Sequence, residues 1–157
     1  MRNKFHLLFI LLTIIFFSLP SICFSEQPNP KIWKILEDNS YYNIKIITTS
    51  SNTLLVWIYK TVTDDTREKR IQEVKKYDLE RSIKYQQYHH DVVLWEIDCE
   101  KRLWTLKDII EFDNNEKVLE RYKYNNSGWE SIMPNSKGER LYNKVCVPQK
   151  EPLKKKK

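Results

Sequence analysis

The stretch Trp129-Glu130-Ser131-Ile132-Met133-Pro134-Asn135-Ser136-Lys137-Gly138-Glu139-Arg140-Leu141, running on to Val145-Cys146, decides how this 157-residue chain folds. Its second half has helix chemistry. Ser136 is placed to cap a helix, and Glu139 follows three residues later, the pattern of a capping box. Leu141, Tyr142, Val145 and Cys146 then line one apolar stripe. Pro148 stops the helix. A helix this short is marginal alone, so its stripe needs a sheet to pack against.

Upstream, the chain supplies strands. Trp33 to Leu36, Tyr41 to Thr49 and Leu54 to Val62 are short apolar or β-branched runs, and Asp38-Asn39-Ser40 and Ser50 to Thr53 are turns between them. Tyr88 to Cys99 alternates: Val93, Trp95 and Ile97 share one face, and Val92 and Leu94 the other. Leu103 to Phe112 reads as the next strand, Asp113-Asn114-Asn115 as a turn, and Val118 to Tyr124 as a hairpin partner. With only two glycines, turns fall to Asn, Asp and Ser. Residues 63–87 are charged, with Ile71, Val74, Leu79 and Ile83 at loosely helical spacing. A solvated connection is preferred there over a helical excursion. Glu26 to Lys31, with Pro28 and Pro30, reads as an extended leader.

The N-terminus reads as an export signal. Arg2 and Lys4 precede an apolar run from Phe5 to Phe17, and a more polar segment ends at Ser25, where cleavage is expected. The alternative is an uncleaved anchor, at about the minimum length for a span. Pro20-Ser21-Ile22 before Cys23 departs from a lipobox, so Cys23 is assigned to the removed peptide and acylation is a minor alternative. The expected layout is a signal at 1–25, one domain at 26–150, and a disordered basic tail at 151–157. Removing Arg2 and Lys4 leaves 25 basic residues against 21 acidic ones, a net +4 that Lys154 to Lys157 alone supply. The near-neutral body excludes a nucleic-acid surface. Export also places Cys99 and Cys146 where disulfides persist, and one pair allows one connectivity; two free buried thiols are the alternative.

The spacing W-x-x-I-x-P-x-S-x-G-E-x-L-x-x-x-V-C, with Asp98-Cys99 upstream, resembles the surface-adhesin E family of small exported bacterial proteins. The residues that carry the resemblance are Asp98, Trp129, Ile132, Pro134, Ser136, Gly138, Glu139, Leu141 and Val145, and they are read as structural. The resemblance implies an α+β fold: a six-stranded antiparallel sheet with a C-terminal helix tied to its concave face by one disulfide, Cys99 to Cys146. It also implies binding of host extracellular-matrix or serum proteins at the cell surface.

Little else points to chemistry, and no catalytic, cofactor-binding or metal-binding residue is assigned. His89 and His90 are adjacent on a strand, so they are expected on opposite faces, partly exposed, and unable to share one metal. Asp64-Asp65 and Asp113-Asn114-Asn115 lack calcium-loop spacing and are read as turns. Scarce glycine rules out a nucleophile elbow and a phosphate loop. Trp95 and Trp129 are assigned to the core, and Tyr41, Tyr59 and Tyr88 to an exposed face. The lysine tail can touch anionic membrane or glycan. An open sheet edge allows a strand-paired homodimer. Two functions remain: a non-enzymatic adhesin at the surface, or a soluble periplasmic accessory or small-ligand protein of the same fold.

Overall fold

The computed structural model describes residues 27–125 and 127–147. The expected signal at 1–25 with Cys23, Pro148, and the tail at 151–157 lie outside them. Eight strands form one antiparallel sheet: β1 Trp33–Glu37, β2 Ser40–Asn43, β3 Ile47–Thr48, β4 Leu54–Thr61, β5 Tyr88–Asp98, β6 Leu103–Asp113, β7 Val118–Lys123 and β8 Glu130–Ser131. The order is β1-β2-β4-β5-β6-β7, with β3 on β4 and β8 on β6. Helices α1 Asp64–Lys75 and α2 Leu79–Lys84 and a 3-10 turn, Tyr85–Gln87, fill the β4–β5 connection. Helix α3, Lys137–Val145, follows β8.

The α3 end matches its sequence. Asn135 has φ 60° after Pro134, and the Ser136 amide donates back to the Met133 carbonyl, which closes a tight turn in front of the helix. The Ser136 hydroxyl accepts from the Glu139 amide at 3.1 Å. The Glu139 carboxylate accepts from the Asn135 amide at 2.8 Å, one residue earlier than a standard capping box. Leu141 is fully buried among Leu36, Val56, Ile58, Ile97 and Ile132, with Val145 and Cys146 packed alongside. Gly138 is buried, and a Cβ there would stand 3.9 Å from the Trp95 ring.

Cys99 and Cys146 are bonded with Cα atoms 5.6 Å apart. Asp98 shapes the turn that carries Cys99: its carboxylate accepts from the amides of Glu100 and Lys101. These backbone bonds, led by that from Lys101, hold it below the ordinary carboxylate range. The Tyr142 hydroxyl donates to the Cys99 carbonyl at 3.1 Å, and Arg102 lies over the Tyr142 ring and pairs with Glu139 at 3.1 Å. Lys137 bonds Ser40 and Glu37, and Arg140 reaches Glu37, which tie α3 to the β1–β2 turn.

Several expectations need correction. Residues 63–87 are not a solvated connection. Thr63 caps α1 and Asp78 caps α2 through their side chains, and Val62, Val74, Tyr85 and Tyr88 form a second buried cluster. Asp64-Asp65 therefore occupies the first turn of a helix rather than a loop turn, a favourable place for negative charge. The run from Tyr41 to Thr49 is interrupted between β2 and β3, where the Asn43 side chain accepts from the Lys45 amide. Residues 30–32 form a turn held by Asn29 instead of an extended leader. Trp129 is 45% exposed and is not core, because only the two residues after it pair with β6. Trp95 packs against the core and stacks on Trp104 at 4.2 Å.

Candidate functional site

The two faces of the sheet can be assigned from register. Val56, Ile58, Val93, Trp95 and Ile97 meet α3. Glu111, paired with Asp91, meets Tyr85 and Arg70 of the α1–α2 segment. All three helices of the described residues therefore cover one face. Alternation sends Leu55, Trp57, Val92 and Leu94 to the other, and Ile110, paired with Val92, joins them. These five residues are half-buried, and none belongs to either core cluster. They shield one another in the plane of the sheet, and no described helix lies above them. Ion pairs frame the band: Glu96 with Lys107 at 3.3 Å, and Asp108 with Arg121 at 2.5 Å.

An aromatic row continues this bare face. Trp33 and Tyr41 each pack edge-on to Tyr59, which stacks on His90 at 4.4 Å, and His90 stacks on Phe112 at 4.8 Å. Of the three tyrosines assigned to an exposed face, Tyr41 is half-buried, Tyr59 is buried within this row, and Tyr88 is buried on the helix side. The sequence reading failed for Tyr88 because the register shifts between Tyr88 and His90. A bulge at His89 inserts one residue into β5 and reverses the alternation before it.

That bulge also overturns the opposite-face reading of the histidines. The Nδ1 atoms of His89 and His90 stand 3.1 Å apart, at hydrogen-bond distance. His90 is buried rather than partly exposed. Burial first, and then the neighbouring His89, lower its pKa to about 4, so its ring is uncharged at neutral pH. Its Nε2 faces the exposed carboxylate of Glu116 at 3.6 Å. A cleft of about 250 Å³ opens here, lined by Asn29, Trp33, Tyr59, His89, Asn114 and Glu116 among others. Asp113-Asn114-Asn115 is the expected turn: the Asp113 carboxylate accepts from the amides of Asn115 and Lys117.

On the helix side lies a polar cluster that sequence reasoning missed. Arg70 pairs with Glu111 at 2.9 Å and donates to the Tyr122 hydroxyl, and the Tyr85 hydroxyl donates to Glu111. Burial works to lower the Arg70 pKa, but the hydrogen bond and charge of Glu111 more than reverse it. Burial, and then Glu111, push the Tyr85 phenol up. The Tyr88 hydroxyl donates to Asp91, whose carboxyl is pushed up to about 6 by burial, against the pull of that hydrogen bond. Glu111 and Asp91 both accept from neighbouring side chains, so the cluster serves to fasten α1 to the sheet. Its residues come from five separate elements, and no local pattern marks them.

A family model described as surface-adhesin protein E matches residues 37–147, from the end of β1 through α3. The chain belongs to the surface-adhesin E family. A solved structure, crystal form II of Haemophilus influenzae protein E, is similar with a TM-score of 0.50 and 9% sequence identity. The match covers 78% of this chain and 92% of that one. That likeness bears on the fold alone. A search of curated proteins gives no match. Within the motif, Asp98 makes the turn, Ser136 and Glu139 cap the helix, and Ile132 and Leu141 fill the core, while Trp129 stays exposed. No described helix is long and apolar enough to cross a membrane.

Proposed function

We propose that this protein is a non-enzymatic adhesin that holds host extracellular-matrix or serum proteins on the bare face of its sheet. The observation that carries the reading is the apolar band Leu55, Trp57, Val92, Leu94 and Ile110 on the face no helix covers. Apolar residues brought together on a rigid, disulfide-braced scaffold suit partner docking, because little ordering cost remains at binding. Membership of the surface-adhesin E family supports the class of partner. Export through a signal at 1–25 belongs to the same reading. The lysine tail would add sequence-independent attraction to anionic glycan or lipid of about 1 kcal/mol per lysine near such a surface.

The poor lipobox before Cys23 favours a second reading, a soluble periplasmic accessory protein of the same fold. Protease shaving of intact cells separates the two. Loss of the protein while the outer membrane stays sealed is the expected result. Protection until the membrane is permeabilised would move the protein to the periplasm. Binding of the purified protein to immobilised matrix and serum proteins then tests adhesion itself. Sedimentation at rising concentration shows whether a second copy of the chain takes the face instead.

A further inference from the structure

We propose that His89 and His90 form a two-imidazole site for a divalent transition-metal ion of the zinc or copper type, bound through both Nδ1 atoms at the mouth of the cleft beside Trp33. The β5 bulge places the two rings on the same side of the sheet, and it is this local insertion that makes the pair possible. Two nitrogens each about 2.0–2.1 Å from one tetrahedral zinc stand about 3.3–3.4 Å apart, and in a square-planar copper site about 2.8–2.9 Å apart. The observed Nδ1–Nδ1 separation of 3.1 Å lies between these values. Imidazole suits both metals, and copper(II) binds the tighter of the two by the general affinity order.

The surroundings preorganise one ligand and leave the other free to adjust. His90 is clamped between the Tyr59 and Phe112 rings. Its Nε2 stands 3.6 Å from the Glu116 carboxylate, beyond hydrogen-bond distance, while its Nδ1 faces that of His89. A small turn of that exposed carboxylate would make it the outer-shell partner of a metal-bound ring. His89 lies at the cleft wall with its ring half-exposed, so it can turn to share an ion. Without metal, one Nδ1 carries the proton that joins the pair. On binding, that ring gives up its Nδ1 proton and takes one at Nε2, so no net charge leaves the imidazoles. Among the described residues no group of three or more metal-ligating side chains is assembled. The remaining coordination positions therefore face the cleft and belong to water or to a donor from outside.

The test is a calorimetric titration of untagged, exported protein, disulfide intact, with copper(II) chloride or zinc sulfate alone. One ion per chain is expected, and His89→Ala should weaken binding at least tenfold while the melting temperature stays within a few degrees. Nitrogen NMR of the imidazoles in the wild-type chain gives a measure that does not depend on any variant. Both Nδ1 resonances should move together when zinc is added. Absence of binding, a His89→Ala variant that binds within tenfold of wild type, or a shift confined to Nε2 atoms overturns the proposal.

Discussion

One sheet presents two apolar faces with different fates. The face that carries Val56, Ile58, Val93 and Ile97 is roofed by three helices and closed by a disulfide. The face that carries Leu55, Trp57, Val92, Leu94 and Ile110 meets solvent. An antiparallel sheet needs only one buried face, and the solvent side ordinarily alternates to polar residues. The covered face accounts for stability. The bare face keeps hydrophobic residues that no described helix covers, which is why binding is proposed for it.

The largest effects of mutation belong to the covered face. Replacing both Cys99 and Cys146 with serine should cost about 4 kcal/mol in the chain-entropy account, for a closed loop spanning a sequence separation of 47. Thermal unfolding measures it, and an unchanged midpoint would mean that α3 does not depend on its tether. Leu141→Ala should cost about 2–5 kcal/mol, because the side chain is fully buried at the centre of the α3 contact. Arg70→Leu tests the other roof. It removes the partner of the buried Glu111 carboxylate and should cost about 1.5–3 kcal/mol in a denaturant melt, with the disulfide untouched. A neutral result would show that the α1–α2 segment is held by its apolar cluster alone.

Smaller effects sharpen the contrast. Trp57→Ala, on the bare face, should change unfolding free energy by no more than about 1 kcal/mol. A loss comparable with that of Leu141→Ala would mean that this face is also core. At the α3 corner, hydrogen bonds from Lys137 and Arg140 outweigh burial and hold the Glu37 carboxyl below its ordinary 4.5. A depressed acid stabilises the fold above its unfolded pKa and loses that contribution as pH falls through the folded value. Acid titration of stability should therefore show a loss below about pH 4.5 that is absent in Glu37→Gln. Its size should be a few tenths of a kcal/mol, since Arg140 is well exposed.

Much of this division was legible before the structure. The alternation in β5 separated Val93, Trp95 and Ile97 from Val92 and Leu94, and period-two spacing is a strong signal wherever the ladder is regular. The α3 cap and stripe were equally clear, because capping chemistry is local. What escaped was non-local. The bulge at His89 leaves no compositional mark, yet it reversed the placement of Tyr88 and brought the two histidines together. Helix α1 carries few apolar residues, and what fastens it is Arg70 reaching Glu111 and Tyr122 from distant strands. Trp129 carried the motif, but its ring stands outside the core, so its presence in the pattern is not explained by packing.

The most direct test of the account is the adherence of cells displaying Leu94→Lys to surfaces coated with matrix or serum protein, compared with cells displaying the wild type at equal levels. Leu94 is half-buried on the solvent-facing side and pairs with Asp108 across the ladder, so the new charge lies beside the Asp108–Arg121 ion pair and the fold should survive with its melting temperature nearly unchanged. Adherence should collapse at least tenfold. Adherence equal to wild type, in a variant that melts like wild type, would contradict the assignment of binding to the bare face.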